Sequence, residues 1–264
     1  MGSSWGSGVF RKSHPDTLHI ASDTGEGPVV ILVPGVASSS AIFDRLVPML
    51  RDKYRVIAID LLGFGGSPVP EDAAYTVEEH VAWLRATITS LRLKAPFVLA
   101  GHSLGALLSS RYAAQHPGKV SRLILISPPI YLAPSAIGDR RMRAVAGAYL
   151  KAYEFLRENK AFTLRNAAVI AKLMPVKYSF EITETNWRAF VLSMENCIES
   201  QTTISDIAAV RVPVEIVYGA LDPFLAPAGL RIVEQMRHVT VHRVGANDHV
   251  IRARLAKAVA KVIG

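Results

Sequence analysis

A chain of 264 residues, half of them hydrophobic and 20% charged, can bury a large core in one domain with room for an insertion. It contains no run of about eighteen uncharged apolar residues, which excludes a spanning helix, and its single cysteine, Cys197, excludes an intrachain disulfide and any cysteine-based metal spacing. The formal charge of +8 raises nucleic acid and acidic membrane surfaces as partners, so the position of the basic residues has to decide.

The first eight residues, rich in glycine and serine, lack the basic start and apolar stretch of a secretory leader and read as a flexible lead. With the lone cysteine this points to the cytoplasm, export of a processed form being left open. Residues 9–12 and 17–22 flank His14-Pro15-Asp16 as an antiparallel hairpin at one edge of a sheet. Residues 28–33 are a short Val- and Ile-rich run, expected to be a buried strand, and lead into Val33-Pro34-Gly35-Val36. Ser38, Ser39 and Ser40 precede a helical pattern over 41–50, where helix capping is their expected role. A second buried strand, 54–59, ends in Asp60-Leu61-Leu62-Gly63-Phe64-Gly65-Gly66-Ser67. That glycine-rich loop has no following Lys-Ser/Thr pair, so it reads as a tight structural turn, not a phosphate cradle.

A helix over 77–91 and a strand over 97–100 lead to Gly101-His102-Ser103-Leu104-Gly105, followed by a helical pattern over 104–116. Strand, sharp turn and helix in that order put Ser103 at the apex of a strained turn, with glycines that allow strand and helix to approach closely. The hydroxyl is then exposed at the carboxyl edge of the sheet, near the free N–H groups of the helix start. After the strand 123–126 the rhythm breaks. Residues 128–211 show helical periodicity, many large apolar side chains and no convincing strand. A structureless loop of that size is improbable, so this segment is expected to be a helical cap inserted into a core made of 1–127 and 212–264. Most of its apolar side chains should pack it onto that core, and a minority should line a cavity beneath it.

A strand over 214–218 exits into Gly219-Ala220-Leu221-Asp222-Pro223, and a strand over 239–244 exits into Gly245-Ala246-Asn247-Asp248-His249. Helical patterns over 226–236 and 250–262 follow them. From residue 231 onward seven Lys/Arg and two acids give this stretch a net charge of +5, on spacings expected for the solvent sides of helices and a strand. No aromatic residues interleave with them to stack bases, so a solvated surface is expected and no nucleic-acid partner.

Strands that are apolar throughout are buried on both faces, and their alternation with helices specifies an α/β fold with a doubly wound, mostly parallel sheet. In such a sheet ligands bind at the carboxyl ends of the strands. A serine hydroxyl is a poor nucleophile until a base within hydrogen-bond reach, itself oriented by a third group, activates it. His249 and Asp222, each at a strand exit, are the candidates for those partners. Asp248 is the weaker choice of acid and is expected to cap the last helix. The other histidines lie mostly in or beside surface segments, and His102 should help shape the pocket while pointing away from the Ser103 hydroxyl.

These residues carry a resemblance. The elbow Gly101–Gly105, the order Ser103, Asp222, His249, the segment Val33-Pro34-Gly35-Val36 and the loop from Asp60 to Ser67 resemble the α/β-hydrolase fold superfamily, over nearly the whole chain from residue 17. The resemblance implies Ser103 as nucleophile, His249 as general base and acid, Asp222 as the group that orients the imidazole, and the backbone N–H groups of Val36 and Leu104 as oxyanion hole. Pro34-Gly35 stands where many relatives have His-Gly, a change that leaves the main-chain donor in place. No cofactor and no metal are implied.

Serine at 103 argues against relatives that use an aspartate nucleophile. The leading expectation is a serine hydrolase cleaving carboxylic ester or related acyl bonds through an acyl-enzyme, on a small to medium, largely apolar acyl substrate under the helical cap. Carbon–carbon bond hydrolases of ring-fission products are the alternative, but usually show Asn before the serine and Trp after the histidine, where this chain has His102 and Val250. A ligand receptor built on a hydrolase scaffold is a third reading. Oligomeric state is not legible.

Overall fold

The computed structural model describes residues 17–132, 138–173, 180–200 and 202–264. Among these, seven strands form one sheet: β1 (Ile20–Thr24), β2 (Val29–Val33), β3 (Arg55–Ile59), β4 (Phe97–His102), β5 (Val120–Ile126), β6 (Val214–Gly219) and β7 (Val239–Val244). Their order across the sheet is β1-β3-β2-β4-β5-β6-β7. The edge strand β1 runs antiparallel to β3, and every other pair is parallel.

The strand sequences explain the layering. Alternate residues point to opposite faces, and here both faces are apolar. Ile31 and Val33, Ile57 and Ile59, and Leu123 and Leu125 join one core, which also holds Leu84 and Ile88 of helix α2 (Val77–Ser90) and Leu107 and Tyr112 of helix α3 (Leu104–Gln115). Val30, Leu32, Val56, Ala58, Ile124 and Ile126 join the other, with Leu50 of helix α1 (Val47–Leu50) and Leu255 and Val259 of helix α9 (Ala253–Ile263). A fully covered parallel sheet results, with its carboxyl ends free to carry loops.

Between β5 and β6 the described residues hold helices α4 (Arg140–Glu158), α5 (Lys160–Leu173) and α6 (Trp187–Ser193), a π-helical turn over Met194–Glu199, and α7 (Thr203–Ala209), with no strand. Helix α8 (Pro227–Val233) connects β6 to β7. None of the described helices is long and apolar enough to cross a membrane.

Some expectations need correction. Residues 9–12 of the expected hairpin lie outside the described residues. Its second strand begins at Ile20, and it pairs antiparallel with β3 at the sheet edge. The helix expected over 41–50 is two pieces, a 3₁₀ turn over Ser40–Phe43 and then α1. Pro48 lacks the N–H that a continuous helix would need there, and it suits only a first turn. Ser39 does cap the 3₁₀ turn, accepting from the Ala41 N–H at 3.3 Å. Asp248 does not cap α9, whose N-cap is Arg252. It accepts instead from the Val250 N–H at 3.2 Å and pairs with Arg252 at 2.9 Å.

Candidate active site

Ser103 sits between β4 and α3 with φ 53° and ψ −122°, a backbone conformation that L residues rarely adopt. Two glycines make the turn possible. A Cβ on Gly101 would lie 2.2 Å from the Gly105 carbonyl oxygen, and one on Gly105 would lie 2.3 Å from the carbonyl oxygens of Val33 and Pro34. Only glycine lets strand, helix and the loop after β2 close up around the serine. The Ser103 N–H donates to the Ile126 carbonyl at 3.0 Å, anchoring the strained residue to the neighbouring strand.

Leu104 is the first residue of α3, so its N–H has no carbonyl within the helix to bond. Val36, in the loop after β2, lines the same cavity as Ser103, together with Gly35 and Ala37.

The loops after β6 and β7 meet. His249 Nδ1 and Asp222 Oδ2 are 2.9 Å apart, and the Asp222 side chain is 1% exposed while that of His249 is 18% exposed. A carboxylate only accepts, so Nδ1 carries the hydrogen and Nε2 of the neutral ring is left as an acceptor. Burial raises the Asp222 carboxyl, but the His249 imidazole, the Phe224 N–H at 2.9 Å and the Ser127 hydroxyl more than offset it. The group is held below its ordinary range and stays ionised.

Several residues build this meeting point without having been singled out in the sequence. A Cβ on Gly219 would lie 2.2 Å from the Asn247 carbonyl oxygen and 2.5 Å from that of Asp248, so glycine is what lets the two loops touch. Asn247, 2% exposed, donates its side-chain amide to the carbonyls of Asp248 at 2.8 Å and Val250 at 3.0 Å, folding the loop around itself. The Phe224 ring meets His249 edge-on at 4.9 Å between centroids and stacks on Tyr153 at 6.4 Å. Asn247 beside Asp248 and His249 was the one legible hint, since Asn commonly bonds nearby backbone in turns.

His102 lines the same cavity as Ser103, as expected, but its contact with His249 was not expected. It is 4% exposed, its ring lies 4.8 Å from that of His249, and its Nε2 is 2.9 Å from the His249 carbonyl oxygen. Burial, with the neighbouring His249, pushes it down to about 3. His80 is also buried, hydrogen-bonded to Ser193 at 3.1 Å. The expectation of surface histidines therefore fails for these two. The reason is local: His102 ends a strand buried at every position but Val98, and His80 sits on the core-facing stripe of α2.

Ser103 and His249 open onto one cavity of about 310 Å³. Its walls are mainly apolar: Ile42, Leu156, Phe180, Ile182, Phe190, Met194 and Ile198 contribute, with Tyr153, Thr163 and Asn166 as polar side chains from α4 and α5. Among the described residues, no Lys, Arg, Asp or Glu lines it. Of the aromatic residues between β5 and β6, Tyr153, Phe180 and Phe190 line this cavity, whereas Phe155 and Phe162 are exposed. Met174 and Tyr178 lie outside the described residues.

A family model described as the alpha/beta hydrolase fold matches residues 28–251. The chain belongs to the α/β-hydrolase fold family. A probable lysophospholipase of Arabidopsis thaliana is 40% identical over 114 residues, which is 41% of this chain and 24% of that protein. A pimeloyl-[acyl-carrier protein] methyl ester esterase of Aeromonas hydrophila is 36% identical over 110 residues, 41% of each chain. This chain thus spans well under half the length of these curated relatives. Among solved structures, a haloalkane dehalogenase loop variant from Bradyrhizobium elkanii superposes with a TM-score of 0.71 at 22% identity, covering 94% of this chain and 96% of that one, a likeness of fold.

Proposed function

We propose that this α/β-hydrolase-family protein is a serine hydrolase that cleaves carboxylic esters of uncharged, largely apolar acyl groups. The observation that carries the reading is the hydrogen-bonded His249–Asp222 pair, whose imidazole faces the same apolar cavity as a serine held on a strained elbow.

In this reading Ser103 Oγ attacks the ester carbonyl while its proton passes to His249 Nε2. Asp222 holds the Nδ1–H and stabilises the imidazolium. Charge developing on the carbonyl oxygen is met by the N–H groups of Val36 and Leu104, where losing one such donor costs on the order of 10²–10³ in turnover. Collapse of the tetrahedral species expels the alcohol, which takes the proton from His249 and leaves an acyl-Ser103 ester. Water, deprotonated by His249, attacks that ester, and the acid leaves as Ser103 recovers its proton.

The substrate class follows from the cavity. With no Lys or Arg among its described lining residues, an acyl chain carrying a carboxylate would lose its hydration without a partner from those residues. A chain of methylenes would instead gain about 0.8 kcal/mol for each one buried. Residues 128–211 act in this reading as a cap on the core formed by 1–127 and 212–264, supplying the walls that set chain length. The names of the esterase and lysophospholipase relatives lend the ester reading further support.

Hydrolysis rates across a panel of nitrophenyl esters, thioesters, lactones and ring-fission dienones, with Ser103→Ala as blank, test it. Highest kcat/KM on uncharged acyl esters is expected. A preference for dienones would select carbon–carbon bond cleavage, and labelling of Ser103 without turnover on any of them would select a receptor.

A further inference from the structure

Strand β4, which ends in His102, and strand β7, which leads to His249, are not neighbours: β5 and β6 lie between them. The loop after β7 must therefore reach across two strands to bring an imidazole over the serine elbow. On its own side that loop is tied to the β6 exit by backbone bonds, Ala220 N–H to the Val244 carbonyl at 2.8 Å and Leu221 N–H to the Asn247 carbonyl at 2.9 Å. Neither bond touches the elbow. The contact from His102 Nε2 to the His249 carbonyl, 2.9 Å long and spanning 147 positions of sequence, does.

The chemistry of that contact is unambiguous. A carbonyl oxygen accepts only, so Nε2 carries the hydrogen and His102 is the donor. Its Nδ1 is buried without a hydrogen-bond partner, and a Cβ built on Gly35 would lie 3.4 Å from it. A second proton at Nδ1 would be buried, unbonded and beside the ring of His249, which fixes His102 in one neutral tautomer.

We propose that His102 is a positioning residue: by holding the main-chain carbonyl of His249 it fixes the backbone from which the base projects toward Ser103. His249 is then held at two points, its ring by Asp222 and its backbone by the residue preceding the nucleophile. The position directly before Ser103 suits this task, because any shift of the elbow carries the anchor with it and the serine-to-imidazole spacing is preserved. The inference rests on the reading of Ser103 and His249 as nucleophile and base.

The test compares His102→Leu, which keeps bulk without a donor, with His102→Gln, which restores an N–H at comparable reach, beside Ser103→Ala and His249→Ala. Each is assayed on a soluble nitrophenyl ester for kcat and KM, by the rate of Ser103 labelling with a fluorophosphonate, and for Tm. A displaced base costs roughly 10²-fold. The expected result is that His102→Leu loses about that factor in kcat and in labelling rate with KM nearly unchanged, and that His102→Gln recovers most of both. Wild-type kcat and labelling in His102→Leu would overturn the proposal. So would equal losses in Leu and Gln accompanied by equal falls in Tm, which would make the role one of packing. If Ser103→Ala or His249→Ala keeps full activity, the underlying hydrolase reading fails, a result distinguishable from either of these.

Discussion

His249 and Asp222 meet through a single 2.9 Å hydrogen bond, although their loops leave two different strands and 27 residues separate them. The bond sets which ring nitrogen of His249 can accept a proton. Asp222→Asn replaces an obligate acceptor by a group that can also donate, so the ring can adopt the opposite tautomer. By the general behaviour of such triads, kcat on an ester should fall about 10⁴-fold. Circular dichroism should show an unchanged fold. A fall of less than about tenfold would assign the orienting role to another group.

Gly219 governs the approach of the same two loops. A methyl group there meets main-chain oxygens of Asn247 and Asp248, which cannot swing aside as a side chain would. Gly219→Ala should destabilise the protein by about 1–3 kcal/mol, the usual cost of overpacking. It should lower kcat by more than that loss of stability explains, because the His249–Asp222 bond opens. Urea unfolding and steady-state kinetics on the same preparation separate the two effects.

The elements that position this site were readable because their patterns are redundant. Short, β-branched apolar runs such as Val30–Val33 favour strands buried on both faces, as observed, and the glycines at 101 and 105 mark a turn that no other residue can make. His249 and Asp222 were legible as candidates from their place at strand exits. What was not legible depends on partners far away in sequence. Nothing around His102 announces a carbonyl 147 positions downstream. Gly219 reads as an ordinary loop glycine until Asn247 is placed against it. Which aromatic side chains of the helices between β5 and β6 face the cavity depends on how those helices are rotated, and Tyr153 and Phe155 differ in that respect although only two positions apart.

Two buried histidines make stability fall in acid. His80 is pushed down to about 4 and His102 to about 3, mainly by burial, from an ordinary 6.5. Well above pH 6.5 both are neutral in the folded and unfolded chain, and stability is at its full value. As pH falls below that, the unfolded chain takes up protons that the folded chain refuses, so stability is lost until the folded values are reached. For His80 the loss approaches about 3 kcal/mol. Urea midpoints should therefore drop between pH 6.5 and pH 4, and His80→Gln should flatten that slope. An identical slope in the variant would place the proton uptake elsewhere.

Chain-length preference should follow the cavity walls. Ile198, 3% exposed in the π-helical turn, lines the cavity. Ile198→Trp should reduce kcat/KM for octanoyl relative to acetyl nitrophenyl esters by about tenfold or more, since each excluded methylene is worth about 1–3 kcal/mol. Equal effects on both esters would mean that long chains run in another direction.

The most direct measurement is intact-protein mass spectrometry of the protein quenched in acid during incubation with a nitrophenyl ester, followed by peptide mapping. An acyl adduct on Ser103 is predicted for the wild-type chain, absent in Ser103→Ala and formed at least about 10³-fold more slowly in His249→Ala. Turnover by Ser103→Ala at the wild-type rate, or an adduct on any other residue, would contradict the account.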